Sequence, residues 1–158
     1  MFGQKTAFDY AIGVTALLLL LLQGYLLMQY WSDLPERLPM HYNFRGETDS
    51  YGSKASILFL PLIGVALFVM MTFVALNPQS MNLPVKVTDE NREQVYAQGV
   101  RFVHILRFLI TCLFTYLLWG TINVGMGWQS QLDNRVLFGF LGLLAVTMIW
   151  FFAGVAKK

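Results

Sequence analysis

The sequence predicts an all-α integral membrane protein with four transmembrane helices and a structured extracytoplasmic loop between the first two. Of its 158 residues, 56% are hydrophobic and 13% are charged, whereas soluble domains have about 45–50% and about 25%. The apolar residues are also gathered into four long runs, which is the arrangement that a bilayer requires. The whole chain, residues 1–158, is therefore predicted to be one four-helix membrane domain.

The first two predicted spans are residues 10–30 and 55–76, and neither contains a charged side chain. At about 1.5 Å per residue, the first run is roughly 30 Å long, which matches the hydrocarbon thickness of a bilayer. Thr6 and Asp9 have the spacing of a helix capping box. Pro61 lies near the start of the second span and is expected to bend it modestly.

The other two predicted spans are residues 102–123 and 136–155. The third helix is expected to start well before its immersed part, because a threonine and several acidic residues near position 88 favour a helix start there. In the fourth span, Gly139 and Gly142 are expected to allow the close approach of a neighbouring helix.

The distribution of basic residues predicts the orientation of the spans. With the N-terminus inside, seven Lys and Arg residues lie on the cytoplasmic side and four on the outer side, which favours two cytoplasmic termini. The seven are Lys5, Lys86, Arg92, Arg101, Arg107, Lys157 and Lys158, and the four are Arg37, Arg45, Lys54 and Arg135. The aromatic residues expected at the outer interface are Tyr30, Trp31, Trp119 and Trp128.

The outer loop, residues 32–54, is expected to be extended and to lie on the membrane surface. Pro35 and Pro39 restrict the backbone to extended geometry, and Gly46 and Gly52 are predicted to mark two turns. A period of two along residues 40–45 places apolar side chains on one face and polar ones on the other. The apolar set is Met40, Tyr42 and Phe44, and the polar set is His41, Asn43 and Arg45.

The polar side chains of this loop are the best candidates for a ligand site, and they are His41, Asn43, Asp49 and Lys54. The alternative is a loop that folds on itself, in which Asp49 caps a turn, Asn43 bonds the backbone and Lys54 meets Glu47 or a lipid phosphate. Oxygen atoms of Asn43, Glu47 and Asp49 also form a weak candidate site for a hard cation such as calcium. No other cofactor is predicted.

The loop carries an ordered set of motif positions, namely Leu-Pro at Pro35, then Pro39-x-His41-x-Asn43, Gly46, Asp49, Gly52 and Lys54, followed by a helix with Pro61. This set resembles the N-terminal membrane domain of the bacterial SdpI-like family, a domain of unknown function, over residues 8–80. The resemblance implies the same membrane fold, and some SdpI-like proteins confer immunity to a secreted peptide toxin and hold a transcriptional repressor at the membrane. Those proteins carry a second module with a Gly-Leu-Arg-Thr-Pro-type motif, which this sequence lacks.

The third span carries a polar stripe, formed by Arg101, His104, Arg107, Thr111 and Thr115. At 100° per residue these side chains share one side of the helix, and such a stripe is expected to face the bundle or a water-filled cavity. Two interpretations of the arginines remain open. In the first, both arginines snorkel to lipid phosphate. In the second, one of them pairs with Asp9 and joins the first helix to the third.

Several classes of protein are disfavoured by the sequence. It contains no Gly-x-Ser-x-Gly or His-Glu-x-x-His motif and no pair of carboxylates within an apolar run, so an enzyme is not expected. A net charge of +2 argues against nucleic-acid binding. The lone Cys112 allows neither an intrachain disulfide nor a cysteine-based zinc site.

The predicted function is the binding or sensing of an extracytoplasmic ligand, with peptide-toxin immunity as the specific form that the family resemblance implies. The alternative is an accessory subunit of a larger membrane complex or transporter. The predicted partners are the lipid bilayer and a peptide ligand or another membrane protein, and a homodimer remains open.

Overall fold

The computed structural model describes residues 6–157 and has four helices long and apolar enough to cross a membrane in that part of the chain. They are α1 (Ala7–Tyr30), α2 (Phe59–Leu76), α3 (Arg92–Gly125) and α4 (Asn134–Val155). Length and composition thus support a multi-pass membrane protein, as predicted. The two terminal lysines used in the charge count, Lys5 and Lys158, lie outside the described residues.

The start of α1 is fixed by the predicted capping box. The Thr6 hydroxyl accepts a hydrogen bond from the Asp9 backbone N–H at 3.3 Å, and the Asp9 carboxylate accepts one from the Thr6 N–H at 2.8 Å. Because the two bonds satisfy exposed N–H groups of the first turn, the helix begins at Ala7, three residues earlier than the predicted span.

The start of α2 differs from the prediction. Residues Lys54–Leu58 form a 3₁₀ helix, and the α-helix begins only at Phe59. Pro61 explains the difference, because it has no N–H to give to the carbonyl four residues earlier and its ring crowds that carbonyl. The proline thus lies in the first turn of an α-helix that begins at Phe59, and the predicted span begins with the 3₁₀ segment rather than with an α-helix at residue 55.

Helix α3 is the central element, and α1, α2 and α4 all pack against it. Two apolar clusters stabilise its ends. One includes Leu27, Leu34, Leu38, Ile57, Leu118 and Ile122, and the other includes Val95, Phe151 and Val155. Since Phe151 and Val155 are the buried residues of α4, that helix is held mainly at its C-terminal end and is exposed along most of its length.

The loop between α1 and α2 is a β-hairpin. Strand β1 (Arg37–Tyr42) pairs antiparallel with strand β2 (Thr48–Ser53), and the register shifts on both sides of His41. Gly46 lies in the turn with φ +84°, as expected for a glycine turn. Gly52 is not a second turn, because it lies within β2 opposite Leu38. An added Cβ there would lie 2.5 Å from the Met40 side chain, so the glycine provides space between the strands.

The register shifts also change the predicted faces of the loop. A strict period of two fails where a strand carries an irregularity, because successive residues no longer alternate sides. Tyr42 is half-buried against the bundle, but Met40 and Phe44 are 45% and 88% exposed within the chain. The buried residues of β1 are instead Leu38 and Pro39.

Candidate functional site

The hairpin is fixed to one end of the helical bundle by buried contacts. Leu38 is fully buried in the apolar cluster between α1 and α3, and its side chain occupies the space beside Gly125. The Tyr42 hydroxyl donates to Thr121 of α3 at 3.3 Å. Burial raises the pKa of the Tyr42 phenol above its ordinary value of 10.0, so the group stays neutral near pH 7. The hairpin is therefore joined to the bundle by a buried side chain and a hydrogen bond.

The turn of the hairpin is attached separately to the α3–α4 loop. The Leu132 N–H donates to the Gly46 carbonyl at 2.9 Å, and the Asn134 side-chain amide donates to the Phe44 carbonyl at 2.8 Å. Residue 46 must be glycine, because its φ is positive and an added Cβ would overlap the Leu132 carbonyl oxygen. One distant segment of the chain, residues 132–134, therefore holds the turn in place through two hydrogen bonds.

His41 and Asp49 form an exposed polar pair on the hairpin. Nδ1 of His41 lies 2.7 Å from a carboxylate oxygen of Asp49, and the two side chains are 70% and 44% exposed. An ion pair with this exposure adds little to stability, so its side chains are free to exchange partners with a ligand. The structure thus brings these two predicted site residues together across the two strands.

Asn43 has its polar atoms engaged within the turn. Its side-chain oxygen accepts hydrogen bonds from the N–H groups of Arg45 at 2.8 Å and Glu47 at 3.1 Å, and its amide donates to the Glu47 carboxylate at 2.8 Å. This is the local pattern by which asparagine builds turns. The self-folding alternative therefore describes Asn43 better than ligand binding does.

Lys54 also contributes to the structure of the loop. The Lys54 ammonium lies 5.1 Å from the centre of the Trp31 ring, which is a cation–π contact. The backbone N–H of Lys54 donates a hydrogen bond to the Glu36 carbonyl at 2.9 Å. The expected contact with Glu47 is not among the ion pairs of the described residues. Nearby, Pro35 is exposed before β1, whereas Pro39 is buried within it.

The weak candidate metal site is not assembled by the hairpin. Asn43 and Glu47 bond to each other, and Asp49 bonds to His41. Within residues 6–157 no three side chains of the His, Cys, Asp or Glu types are grouped so that they could hold a metal ion.

Aromatic side chains of α1, α3 and the following loop gather at the hairpin end of the bundle. The ring centre of Tyr30 lies 5.9 Å from that of Trp119 and 5.5 Å from that of Trp128. The ring centres of the two tryptophans are 6.3 Å apart. Rings of this kind prefer the boundary between lipid and water. The same end of the bundle therefore combines a group of aromatic rings with the polar pair of the hairpin.

The polar stripe of α3 faces α1 and α2. His104, Arg107 and Thr111 are buried, and Thr115 accepts a hydrogen bond at 2.9 Å from the fully buried Gln23 of α1. Gln23 and Thr72 were not among the predicted site residues. Their signal in the sequence is a hydrogen-bonding side chain within an apolar span, which must find a partner inside the bundle.

The two arginines of the stripe have different environments. Arg101 pairs with Asp9, with 3.4 Å between its Nε and the carboxylate, which joins α1 to α3. Arg107 instead turns inward, is only 7% exposed, and donates to the Thr72 hydroxyl of α2 at 2.8 Å. The alternative in which one arginine pairs with Asp9 therefore describes Arg101, whereas the Arg107 guanidinium lies between the helices against α2.

The glycines of α4 do not approach a helix of the same chain. A Cβ added at Gly139 or Gly142 would have nothing within 4 Å in the described part of the chain. The close approaches occur at Gly120, which faces the Leu132 side chain, and at Gly154, which faces Gln98. The expectation of a close helix contact at Gly139 and Gly142 is therefore not met within the chain.

Comparison with known proteins gives two findings. Residues 17–65 match the model of a domain of unknown function, DUF1648, and this segment contains part of α1, the whole hairpin and the start of α2. An uncharacterised protein of Archaeoglobus fulgidus is 36% identical over 145 residues, in an alignment covering 83% of this chain and 73% of the archaeal protein. The chain belongs to the family of that archaeal protein. No solved structure matches the chain. The segment that matches DUF1648 includes His41 and Asp49 of the candidate site.

Proposed function

We propose that the protein recognises a ligand outside the cytoplasm through the exposed face of its hairpin. The observation that carries this proposal is the His41–Asp49 pair, which lies exposed on a hairpin that is anchored at both its strands and its turn. Polar groups of a ligand gain most when the protein groups they meet are already held in place. A histidine and a carboxylate together offer a donor and acceptors to a polar backbone or side chain.

A peptide fits this face better than a small molecule does. The hairpin is a two-stranded sheet, and an extended peptide can add a strand to the edge of such a sheet. Exposed Met40, Tyr51 and Phe44 flank the polar pair and provide apolar contacts. The resemblance to SdpI-like proteins supports the same choice, with immunity to a membrane-active peptide toxin as the role and both termini in the cytoplasm.

The test is a toxin-sensitivity assay in bacteria that express the chain. Cells with the wild type or with a His41→Gln/Asp49→Asn variant, at equal membrane levels, are exposed to a panel of membrane-active peptides. The expected result is that the wild type raises the inhibitory concentration of at least one peptide and that the variant does not. Asn43 is left unchanged, because replacing it would disturb the turn as well as the site.

The matched control is the exposed ion pair at the other end of the bundle, Asp89 with Arg92, whose charged atoms are 2.6 Å apart. An Asp89→Asn/Arg92→Gln variant should protect as well as the wild type. Protection that survives in the His41→Gln/Asp49→Asn variant would remove the hairpin pair from the site. A lack of protection by every variant, with normal expression, would count against the immunity role.

The accessory-subunit function is supported by a different observation, the open face of α4. Only the end of this helix is buried, and Gly139 and Gly142 leave a smooth surface without a neighbour in the described chain. Small residues at a membrane interface let two helices pack closely. A partner protein of a larger complex would be expected at this face.

This second function predicts a copurifying partner that depends on α4. Gly139→Leu/Gly142→Leu should release the partner without changing the thermal stability of the isolated chain. Gly24→Leu is the control, since that position on α1 is equally open but lies on another helix. Purification of the chain without any stoichiometric partner from its own membrane would oppose this function.

A further inference from the structure

Arg107 is a buried cation whose hydrogen-bonding capacity is only partly used. Its Nη1 donates to Thr72, and its guanidinium lies 4.5 Å from the centre of the Phe68 ring. Its Nε is buried and has no hydrogen-bond partner among the described residues. Since an arginine donates up to five hydrogen bonds, the protein alone leaves this one under-satisfied in a region where water is scarce.

The charge of Arg107 is also uncompensated. In residues 6–157 no carboxylate oxygen lies within 4.0 Å of its guanidinium, and the nearby Asp9 is engaged by Arg101 and Thr6. In the cluster formed by Asp9, Arg101 and Arg107, two guanidinium groups therefore share one carboxylate, which leaves one positive charge. A buried charge that lacks a counter-charge costs several kcal/mol, so an anion that reaches it is bound strongly.

A cavity of about 320 Å³ lies between α1, α2 and α3 beside this charge. Its polar end includes Asp9, His104, Thr72 and Arg107. The remainder is lined by apolar side chains that open towards the membrane, with Val14 and Leu17 about half exposed at 56% and 49% and Leu76 at 64%. The space thus joins a cationic end to an apolar mouth.

Gly13 helps to keep this space open. A Cβ added at Gly13 would lie 3.4 Å from Nη2 of Arg107, so a larger side chain would enter the region in front of the guanidinium. Gly13 is six positions after the start of α1, which places the arginine roughly 9 Å along that helix at about 1.5 Å per residue. The depth is within reach of a lipid headgroup that enters from the near surface.

We propose that this cavity binds an anionic phospholipid, with the phosphate on Arg107 and the acyl chain along the apolar mouth between α1 and α2. Basic pockets between membrane helices bind anionic headgroups by the same chemistry. The apolar mouth favours a lipid over a free anion, because inorganic phosphate would gain nothing from Val14 and Leu17. The site lies at the opposite end of the bundle from the hairpin, so it is independent of the proposed ligand function.

The test measures lipid binding to the full chain by native mass spectrometry and by thermal stability in detergent. Phosphatidylglycerol, phosphatidylcholine and inorganic phosphate are added separately to the wild type, Arg107→Gln and Arg135→Gln. Arg135 is an exposed arginine outside the cavity, with a side chain 87% exposed. Phosphatidylglycerol should bind and stabilise the wild type and Arg135→Gln equally, and bind Arg107→Gln about tenfold or more weakly, as expected for the loss of one charged hydrogen bond.

A second variant keeps the arginine but fills the cavity. Gly13→Leu should also weaken phosphatidylglycerol binding, and it carries the test if Arg107→Gln does not fold. Equal binding of phosphatidylglycerol by the wild type and Gly13→Leu would overturn the proposal. So would stabilisation of the wild type by inorganic phosphate alone through Arg107, because the ligand would then be a free anion. Equal binding of phosphatidylcholine and phosphatidylglycerol would also overturn it.

Discussion

At the scale of single residues, two glycines have a positive φ, but only one of them is in close contact with a neighbour. Comparing them distinguishes the energetic cost of the left-handed backbone from that of a steric overlap. Gly46 has φ +84° and Gly127 has φ +74°. An added Cβ at Gly46 would overlap the Leu132 carbonyl oxygen, whereas at Gly127 it would meet nothing within 4 Å. The two positions therefore form a matched pair.

Gly127→Ala is expected to lower the free energy of unfolding by about 1–2 kcal/mol, the cost of a left-handed conformation for a residue with a Cβ. Gly46→Ala is expected to lower it by about 3 kcal/mol or more, because overpacking against Leu132 is added to that cost. Thermal denaturation in detergent measures both changes. Equal effects of the two substitutions would mean that the Gly46–Leu132 contact does not hold the hairpin turn.

Asp9 is the second residue whose effect can be predicted from its contacts. Asp9→Asn removes the charge that pairs with Arg101 and weakens the acceptor of the capping box. Since the Asp9 side chain is buried but that of Arg101 is 41% exposed, the expected loss is about 1–2 kcal/mol rather than the full cost of breaking a buried ion pair. Asp89→Asn, at an exposed pair, should change stability by less than about 1 kcal/mol. Unchanged thermal stability of Asp9→Asn would show that the pair does not join α1 to α3.

At the scale of elements, Leu38 is the fully buried side chain that packs the hairpin on the bundle. Leu38 is fully buried among side chains of α1, α3 and the 3₁₀ helix, and Gly125 provides the space for it. The strands alone have only two edges and little apolar area, and an isolated two-stranded hairpin is marginally stable. Packing on the helices is therefore what keeps the His41–Asp49 pair in place.

Leu38→Ala is expected to lower stability by about 2–5 kcal/mol and to loosen the hairpin before the helices unfold. Limited trypsin digestion should then cut faster at Arg45, which lies in the turn. Met40→Ala is the control, because Met40 is 45% exposed on the same strand and its truncation should leave the cleavage rate nearly unchanged. A cleavage rate in Leu38→Ala equal to that of the wild type would contradict the anchoring role.

At the scale of the whole molecule, an even number of spans is expected to place both termini on one side of the bilayer and the hairpin on the other. Four helices that cross the bilayer would separate the hairpin from the α2–α3 loop. The distribution of basic residues predicts that the hairpin lies outside the cytoplasm. With that orientation, the Arg107 cavity would lie near the cytoplasmic surface.

Single cysteines test this arrangement in a Cys112→Ser background. Ser50→Cys, on the hairpin, should react with a membrane-impermeant maleimide in intact cells, and Ser80→Cys, in the α2–α3 loop, should react only after the cells are opened. The reverse pattern would keep the four spans but invert the orientation. Labelling of both positions from the same side would contradict the four-span topology.

The sequence by itself determined the four helices and much of their boundaries. Length and uninterrupted apolar character are local properties, and the bilayer requires a helix of about 20 residues wherever they occur. The capping box at Thr6 was also predictable, because both of its partners lie within one helical turn. Pro61 was expected to bend the second span modestly, and the structure places it in the first turn of α2, shortly after the 3₁₀ segment.

Only the tertiary structure decided which polar residues meet. Asp9 is separated from Arg101 by 92 positions, and the sequence left its choice between Arg101 and Arg107 open. The hairpin turn likewise depends on Leu132, a residue of a distant loop. Nothing local specifies these contacts, since they follow from how α1 and α2 pack on α3. The same packing divided the loop residues into those that build the hairpin, such as Asn43 and Lys54, and the pair that it leaves exposed, His41 and Asp49.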